Sequence, residues 1–161
     1  MAGYLAGDVD KWIYIDIADQ HEDSMRFIRD CEKAIGKEIE VLRSTEYGCV
    51  EECVRAFGGF RSACNGFAPC TNWMKKRVRK QWEQDYKQYD LTYVWGFDLK
   101  ERNRAERTVE SNPQAEHEFP LIARNLSKEE VHGLFERTFS FPRPKMYDMG
   151  YPNNNCIGCV K

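Results

Sequence analysis

The sequence lacks the features of a membrane or secreted protein. No apolar run approaches the roughly 20 residues that a membrane-spanning helix needs. The N-terminus has neither the basic start nor the long apolar middle of a secretory signal. An excess of one charge is also missing, because 24 basic residues stand against 26 acidic ones, and this balance does not favour nucleic acid as a partner. These absences predict a cytoplasmic protein with no membrane partner.

The chain also lacks an internal repeat, a linker-like stretch and a glycine-rich phosphate loop of any standard pattern. No nucleophile and base occur at a spacing that would reveal covalent catalysis. The length of 161 residues fits one domain, and an apolar content of 42% is enough for a core of ordinary size. We therefore predict a single domain over residues 1–161.

The order of strand and helix patterns predicts an α/β fold. The stretch KWIYIDIAD is a nearly continuous apolar run, which is typical of a strand covered on both faces. EDSMRFIRDCEKAIG then carries apolar residues at helical spacing and ends at Gly36, and EIEVLR alternates like a second strand. A strand, a helix and a strand form a βαβ unit, which predicts a mostly parallel sheet in a three-layer, doubly wound arrangement with helices on both faces.

The rest of the chain continues this pattern. Ser127 and Glu130 have the spacing of a capping box at the start of a helix. The polar stretch DLKERNRAERTVESNPQ is predicted to be a loop, with a helical turn inside it as the alternative. The tail FPRPKMYDMGYPNNNCIGCVK is predicted to be a loop, and MAGYLAG the last turns of a helix. The other predicted elements are the helices GCVEECVRAF and CTNWMKKRVRKQWEQDY and the strands LTYVWGF and EHEFPLI.

Seven cysteines are many for a cytosolic chain, and their odd number argues against a fully paired disulfide scaffold. Cys156 and Cys159 form a CxxC pair in a loop rich in Gly, Pro and Asn. Cys64 and Cys70 are the best candidates to complete the four ligands that zinc or an iron–sulfur cluster takes. Alternatively, Cys64 and Cys70 are incidental and the CxxC is an empty dithiol or a disulfide. The remaining thiols fall on helix faces that are expected in the core: Cys31, Cys49 and Cys53.

Charged side chains follow two of the predicted strands. Asp16 and Asp19 lie at the carboxyl end of the first strand, where open α/β sheets bind their ligands. The alternative for Asp19 is that it caps the helix that follows it. Arg102, Arg104 and Arg107 follow the third strand, and arginine forks bind phosphate or sulfate. The alternative for these arginines is a surface ion-pair network.

Several of these stretches together resemble the phosphoadenosine phosphosulfate reductase family, within the adenine-nucleotide α-hydrolase-like group, and especially its small phage-associated members. YIDIADQHEDSMRFI is similar to the family's second strand and the helix after it, and PKMYDMGYPNNNCIGC to its cysteine-containing tail. GFRSACNGFAPCTNWMKKR and YVWGFDLKERNRAER are similar to its basic-helix and arginine-rich segments. The resemblance implies nucleotide-binding roles for Asp16, Asp19, Arg61, Lys75, Gly96, Arg104 and Arg107.

The resemblance also implies a ligand, a cofactor and a chemistry. The ligand is an adenine nucleotide, either ATP or phosphoadenosine phosphosulfate. The cofactor is an iron–sulfur cluster (4Fe-4S) or zinc, held by Cys64, Cys70, Cys156 and Cys159. The complete family carries out sulfonucleotide reduction or sulfur transfer.

Two segments of the family are absent from this sequence. The family opens with a strand and a Ser-Gly-Gly-x-x-Ser phosphate loop, and relatives continue past the CxxC. We therefore expect a family domain trimmed at both ends, with weak or absent turnover. The alternative function is a metal-stapled interaction module with a vestigial nucleotide pocket, and a homodimer or a host protein is the expected partner.

Overall fold

The computed structural model of the chain describes residues 1–60, 68–157 and 159. Helices and parallel strands alternate through this range, which confirms a mixed α/β structure. None of the described helices is long and apolar enough to cross a membrane. The elements in chain order are α1 (Ala2–Ala6), β1 (Trp12–Ile15), α2 (Asp23–Ile35), β2 (Ile39–Leu42), α3 (Val50–Ala56), α4 (Pro69–Thr71), a π-helical turn (Asn72–Lys76), α5 (Arg77–Gln84), β3 (Thr92–Val94), a 3₁₀ turn (Leu99–Glu101), α6 (Arg102–Glu110), β4 (Glu116–Glu118), α7 (Pro120–Ala123), α8 (Lys128–Thr138) and α9 (Lys145–Asp148).

The chain divides into two compact units. The β1–β2 unit consists of Lys11–Tyr86 and Pro144–Lys161, and the β3–β4 unit consists of Met1–Asp10 and Lys87–Arg143. Within the described residues the strands pair as two parallel ladders, one in each unit. Each ladder has two strands, and a helix lies between them in the sequence.

The predicted βαβ unit is present as β1, α2 and β2. The two strands pair in parallel, with Trp12 opposite Ile39. The connecting helix ends at Gly36, whose φ of 65° lies in the left-handed region. Its N–H donates to the carbonyl oxygen of Glu32 at 2.9 Å and so closes the last turn. Glycine adopts this conformation at little steric cost, and the predicted helix end is confirmed.

The predicted basic helix is present, but it is not regular. It begins at Pro69, where the missing N–H of proline is no loss because the first turn has no intrahelical acceptor for it. A π-helical turn then interrupts the α-helix and buries Met74. Such turns are rare and are frequent at functional sites, which directs attention to the residues around Met74.

The polar segment after β3 is a helix, and its prediction as a loop was wrong. The side chain of Asp98 accepts a backbone N–H from the 3₁₀ turn at 2.8 Å, and Glu101 accepts the N–H of Asp98 at 3.2 Å. This capping box starts the turn that leads into α6. Ala105 is the buried residue of α6, so the segment has almost no apolar periodicity by which to recognise it.

The start of α8 is confirmed at the predicted capping box. The hydroxyl of Ser127 accepts the N–H of Glu130 at 3.3 Å, and the Glu130 carboxylate accepts the N–H of Ser127 at 2.8 Å. Both bonds satisfy N–H groups that a helix start leaves without partners. The pair fixes where the helix begins in the β3–β4 unit.

Candidate functional site

Three segments of the β1–β2 unit meet around a small buried cluster. It consists of Ile17, Cys53 and Met74, none of which exposes more than 3% of its surface. Ile17 follows β1, Cys53 lies in α3 and Met74 lies in the π-helical turn. Cys70 and Cys156 are partly buried and pack against this cluster. The fold therefore brings a cysteine of the C-terminal tail to the same core as a cysteine of the basic helix.

Cys156 lies among several polar groups. Burial raises the pKa of its thiol above the ordinary value of 9.0, and the positive charge of Lys75 opposes this shift. Asp19, Cys159 and Cys70 also raise the pKa. These interactions place the thiols of Cys70 and Cys159 near that of Cys156, and the three residues are called here the thiol cluster. The interactions also show that a carboxylate and an ammonium lie beside the cluster.

The other cysteines differ in burial. Cys53 is fully buried, and burial together with the neighbouring Cys70 raises the pKa of its thiol to about 11. Cys31 and Cys49 were expected in the core but are only half-buried. Cys64 and Arg61, which sequence reasoning assigned to the metal and nucleotide sites, lie outside the described residues.

The thiol cluster is a group of neighbours and not a finished metal cage. Within residues 1–60, 68–157 and 159, no three His, Cys, Asp or Glu side chains are arranged to hold a metal ion. Three sulfur donors nevertheless suit soft or borderline metals, namely zinc or the iron of an iron–sulfur cluster. The donor set thus fits the expected cofactors in its chemistry.

The tail that carries Cys156 is held along the connection between β1 and α2. Gln20 forms an antiparallel bridge with Cys156. The N–H of Ile157 donates to the carbonyl oxygen of Asp19 at 2.8 Å, and the N–H of Cys159 donates to the carbonyl oxygen of Cys156 at 3.1 Å. The prediction of a loop throughout the tail is corrected, since the tail contains α9 and this bridge.

A buried carboxylate ties the start of the tail to α2. Asp23 is 7% exposed and accepts the N–H of Lys145 at 2.8 Å. It also accepts two N–H groups of the Arg26 guanidinium at 2.6 and 2.8 Å. Ser24 and Asn154 make a second, longer contact at 3.3–3.4 Å. Sequence reasoning missed both contacts, because each joins residues more than 120 positions apart.

We expect the stability of the chain to fall in acid because of Asp23. Its bonds to Arg26 and the N–H of Lys145 outweigh burial and hold the pKa of the carboxyl at about 2, against an ordinary 3.8. A lowered pKa stabilises the fold above about pH 4, and this contribution disappears as the pH falls from 4 to 2. It amounts to about 2 kcal/mol at most.

Urea unfolding at pH 5 and at pH 2.5 measures this effect. The loss of unfolding free energy between the two pH values should be smaller in Asp23→Asn than in the native chain by that amount. Asp30→Asn is the matched control, since Asp30 also pairs with Arg26 but lies about two helical turns further along α2. Equal losses in the native chain and Asp23→Asn would contradict the assignment.

Asp16 and Asp19 lie after β1 as predicted, and both contact protein groups. Asp16 accepts Nε–H and Nη2–H of Arg43 at 2.8 Å each, in a pair whose arginine side chain is 67% exposed. One oxygen of Asp19 accepts the N–H of Val50 at 2.7 Å. Because Val50 is the first residue of α3, Asp19 does cap a helix, but not the helix that follows it directly.

The predicted nucleotide residues are divided between the two units. Within the β3–β4 unit, a Cβ at Gly96 would meet only the Cβ of Ala2, at an ordinary 3.9 Å, so packing does not require glycine there. The residues of the β1–β2 unit are Asp16, Asp19 and Lys75, and those of the β3–β4 unit are Gly96, Arg104 and Arg107.

The predicted phosphate arginines are exposed on α6. Arg104 donates to Glu101 at 2.6 Å, and its guanidinium lies 4.4 Å from the centre of the Phe97 ring. Arg107 donates to the carbonyl oxygen of Asn103 at 3.1 Å. These contacts match the alternative of a surface network for Arg104.

An exposed aromatic patch adjoins the thiol cluster. Tyr47, Phe57 and Trp73 form it, with ring centres 5.3–6.2 Å apart. The guanidinium of Arg77 lies 4.4 Å from the centre of the Trp73 ring. Phe57 is 44% exposed, whereas Tyr47 and Trp73 pack against the buried cluster. The patch is therefore continuous with the core on which Cys70 and Cys156 lie.

No family model, curated protein or solved structure matches the chain. The resemblance to the reductase family therefore rests on its motifs. The function has to be argued from the geometry of the β1–β2 unit.

Proposed function

We propose that the chain is an adenine-nucleotide-binding protein of the phosphoadenosine phosphosulfate reductase type. The supporting observation is that Cys156, paired with Gln20 after the carboxyl end of β1, lies near the thiols of Cys70 and Cys159 and near Asp19 and Lys75. Ligand sites of open α/β sheets lie at this end of the strands. The proposal includes a three-layer, doubly wound fold and a cytoplasmic location, where thiols stay reduced.

The thiol cluster is proposed to hold the cofactor. Cys70, Cys156 and Cys159 would supply three ligands to zinc or to an iron–sulfur cluster (4Fe-4S), with Cys64 as the fourth. A cluster would supply electron transfer, and zinc would supply structural cross-linking. Two of these ligands, Cys70 and Cys156, pack against the same buried cluster, which supports the proposal.

The carboxylates after β1 are proposed to bind the nucleoside. One oxygen of Asp19 accepts the N–H of Val50. This bond fixes the carboxylate and so sets the direction of its second oxygen. Carboxylate oxygens accept hydrogen bonds from ribose hydroxyls and from the adenine amino group. Lys75, which acts on the Cys156 thiol, and the exposed Arg43, which pairs with Asp16, are candidates to bind an anionic group, and Arg43 was not recognised from the sequence. Roles for Arg61, Gly96, Arg104 and Arg107 rest on the resemblance.

We expect Asp19→Asn to weaken nucleotide binding about tenfold, because a charged hydrogen-bond acceptor is replaced by a neutral one. Asparagine is also a good helix cap, so the bond to Val50 and the start of α3 should survive. Titration calorimetry with ATP and with phosphoadenosine phosphosulfate measures the affinity. Asp85→Asn, an exposed residue after α5, is the control for the change in charge and should bind like the native chain.

The absence of heat with both nucleotides, on folded protein, would contradict the proposal. It would favour the second candidate function, a metal-stapled interaction module. The aromatic patch is the feature in favour of that candidate, because its Phe57 ring is 44% exposed and aromatic side chains are enriched in protein interfaces. The second candidate would be established if the chain bound a host protein or formed a homodimer, if this binding depended on Phe57, and if the chain had no nucleotide affinity.

A further inference from the structure

We infer that Asp23 is the anchor that holds the tail thiols, Cys156 and Cys159, in place beside Cys70. The inference rests on the proposed function in treating these thiols as a site. It adds a positioning residue that neither the motifs nor the resemblance assigns.

The tail is attached at three places to one short stretch of the β1–β2 unit. Its start is bonded to Asp23, its middle to Ser24, and its end to Asp19 and Gln20. The stretch Asp19–Ser24 covers the end of the connection after β1 and the first two residues of α2. The contacts of the tail from Lys145 to Cys156 are therefore made with this one short stretch.

The contact of Asp23 is stronger than that of Ser24. A hydrogen bond to a charged acceptor is roughly twice as strong as a neutral one, and Asp23 is almost completely buried. The Ser24–Asn154 contact is neutral, and its length of 3.3–3.4 Å exceeds that of a good hydrogen bond. Arg26 holds the carboxylate from the side of α2, so that an oxygen faces the N–H of Lys145.

The competing explanation is that Asp23 only pairs with Arg26 within α2. Lys145→Pro tests the contact with the tail separately, because it removes the N–H that Asp23 accepts and changes neither Asp23 nor Arg26. Proline suits this position, since Lys145 is the first residue of α9. Pro144 before it has a ψ of 135°, the extended conformation that the residue before a proline requires. Lys145→Ala is the matched control, because it removes the side chain and keeps the N–H.

The test is the alkylation rate of single cysteines in the reduced, metal-free full chain, measured by mass spectrometry. Cys156, which is half-buried, should react about tenfold faster in Lys145→Pro than in Lys145→Ala, as expected for the loss of one hydrogen bond to a charged group. Cys31 on α2 is the internal reference and should react at the same rate in both variants. Cys53, which is fully buried, should stay protected as long as the chain is folded.

Equal rates at Cys156 in the two variants would overturn the inference. If Lys145→Pro exposes Cys53 and so fails to fold, Asp23→Ala replaces it, because alanine cannot accept the N–H of Lys145, with Asp30→Ala as its control. Cys156 must then react faster in the first of these than in the second, and equal rates again overturn the inference.

Titration of the same proteins with cobalt(II), followed by thiolate absorption, separates this inference from the proposed function. We expect about tenfold weaker binding in Lys145→Pro than in Lys145→Ala. If the native chain binds no cobalt but Cys156 loses protection in Lys145→Pro, the proposed metal site fails and the anchor stands. If the native chain binds cobalt and both variants match it in affinity and in alkylation, the anchor fails and the metal site stands.

Discussion

The double variant Cys156→Ser and Cys159→Ser is expected to lose tightly bound zinc or iron. It removes two of the three described thiols that lie together, and a serine hydroxyl is a poor ligand for these metals. Structural zinc sites contribute on the order of 10 kcal/mol, so loss of half of a four-ligand set should leave less than about a tenth of the native metal content. Metal analysis and visible absorption of anaerobic preparations measure that content.

Cys31→Ser is the control for this experiment. Cys31 is a half-buried thiol of α2 in the same unit, outside the thiol cluster. This variant should keep the native metal content. Native metal content in the double variant would contradict the assignment of the tail thiols as ligands.

Met74→Ala is expected to lower the free energy of unfolding by about 2–5 kcal/mol, the range for removing a large side chain from a packed core. Met74 is 2% exposed and belongs to the buried cluster on which Cys70 and Cys156 pack. The cavity would therefore open directly beneath the thiol cluster. Urea unfolding followed by circular dichroism measures the loss.

Met149→Ala makes the same chemical change on the surface of the same unit. Met149 is 58% exposed, and the expected change is within about 0.5 kcal/mol. If Met74→Ala and Met149→Ala lowered the free energy of unfolding by the same amount, the buried cluster would not be the core of the β1–β2 unit.

The parts of the fold that could be predicted have strong local signals. The apolar spacing of α2 and the glycine after it marked a helix and its end, and the Ser127–Glu130 pair marked the start of α8. By contrast, α6 was missed, because an exposed polar helix has no apolar stripe to recognise. The π-helical turn was missed as well, since its five residues have no sequence signature.

The candidate site was predictable only in part for a similar reason. The CxxC pair, Cys70 and the carboxylates after β1 are all recognisable from spacing and position. The groups that hold them are not, because Asp23 reaches the tail across 122 residues, and Asp19 reaches Val50 across 31. Such contacts depend on how the elements pack, and no local pattern encodes them.

The metal–sulfur coordination of the native chain, read by X-ray absorption spectroscopy on an anaerobic preparation, tests the central claim most directly. We expect a shell of three or four sulfur atoms at about 2.3 Å around zinc or iron, because Cys70 and Cys156 pack on one core and the Cys159 thiol lies near that of Cys156. A shell made mainly of nitrogen or oxygen, or a chain that retains no metal, would contradict it.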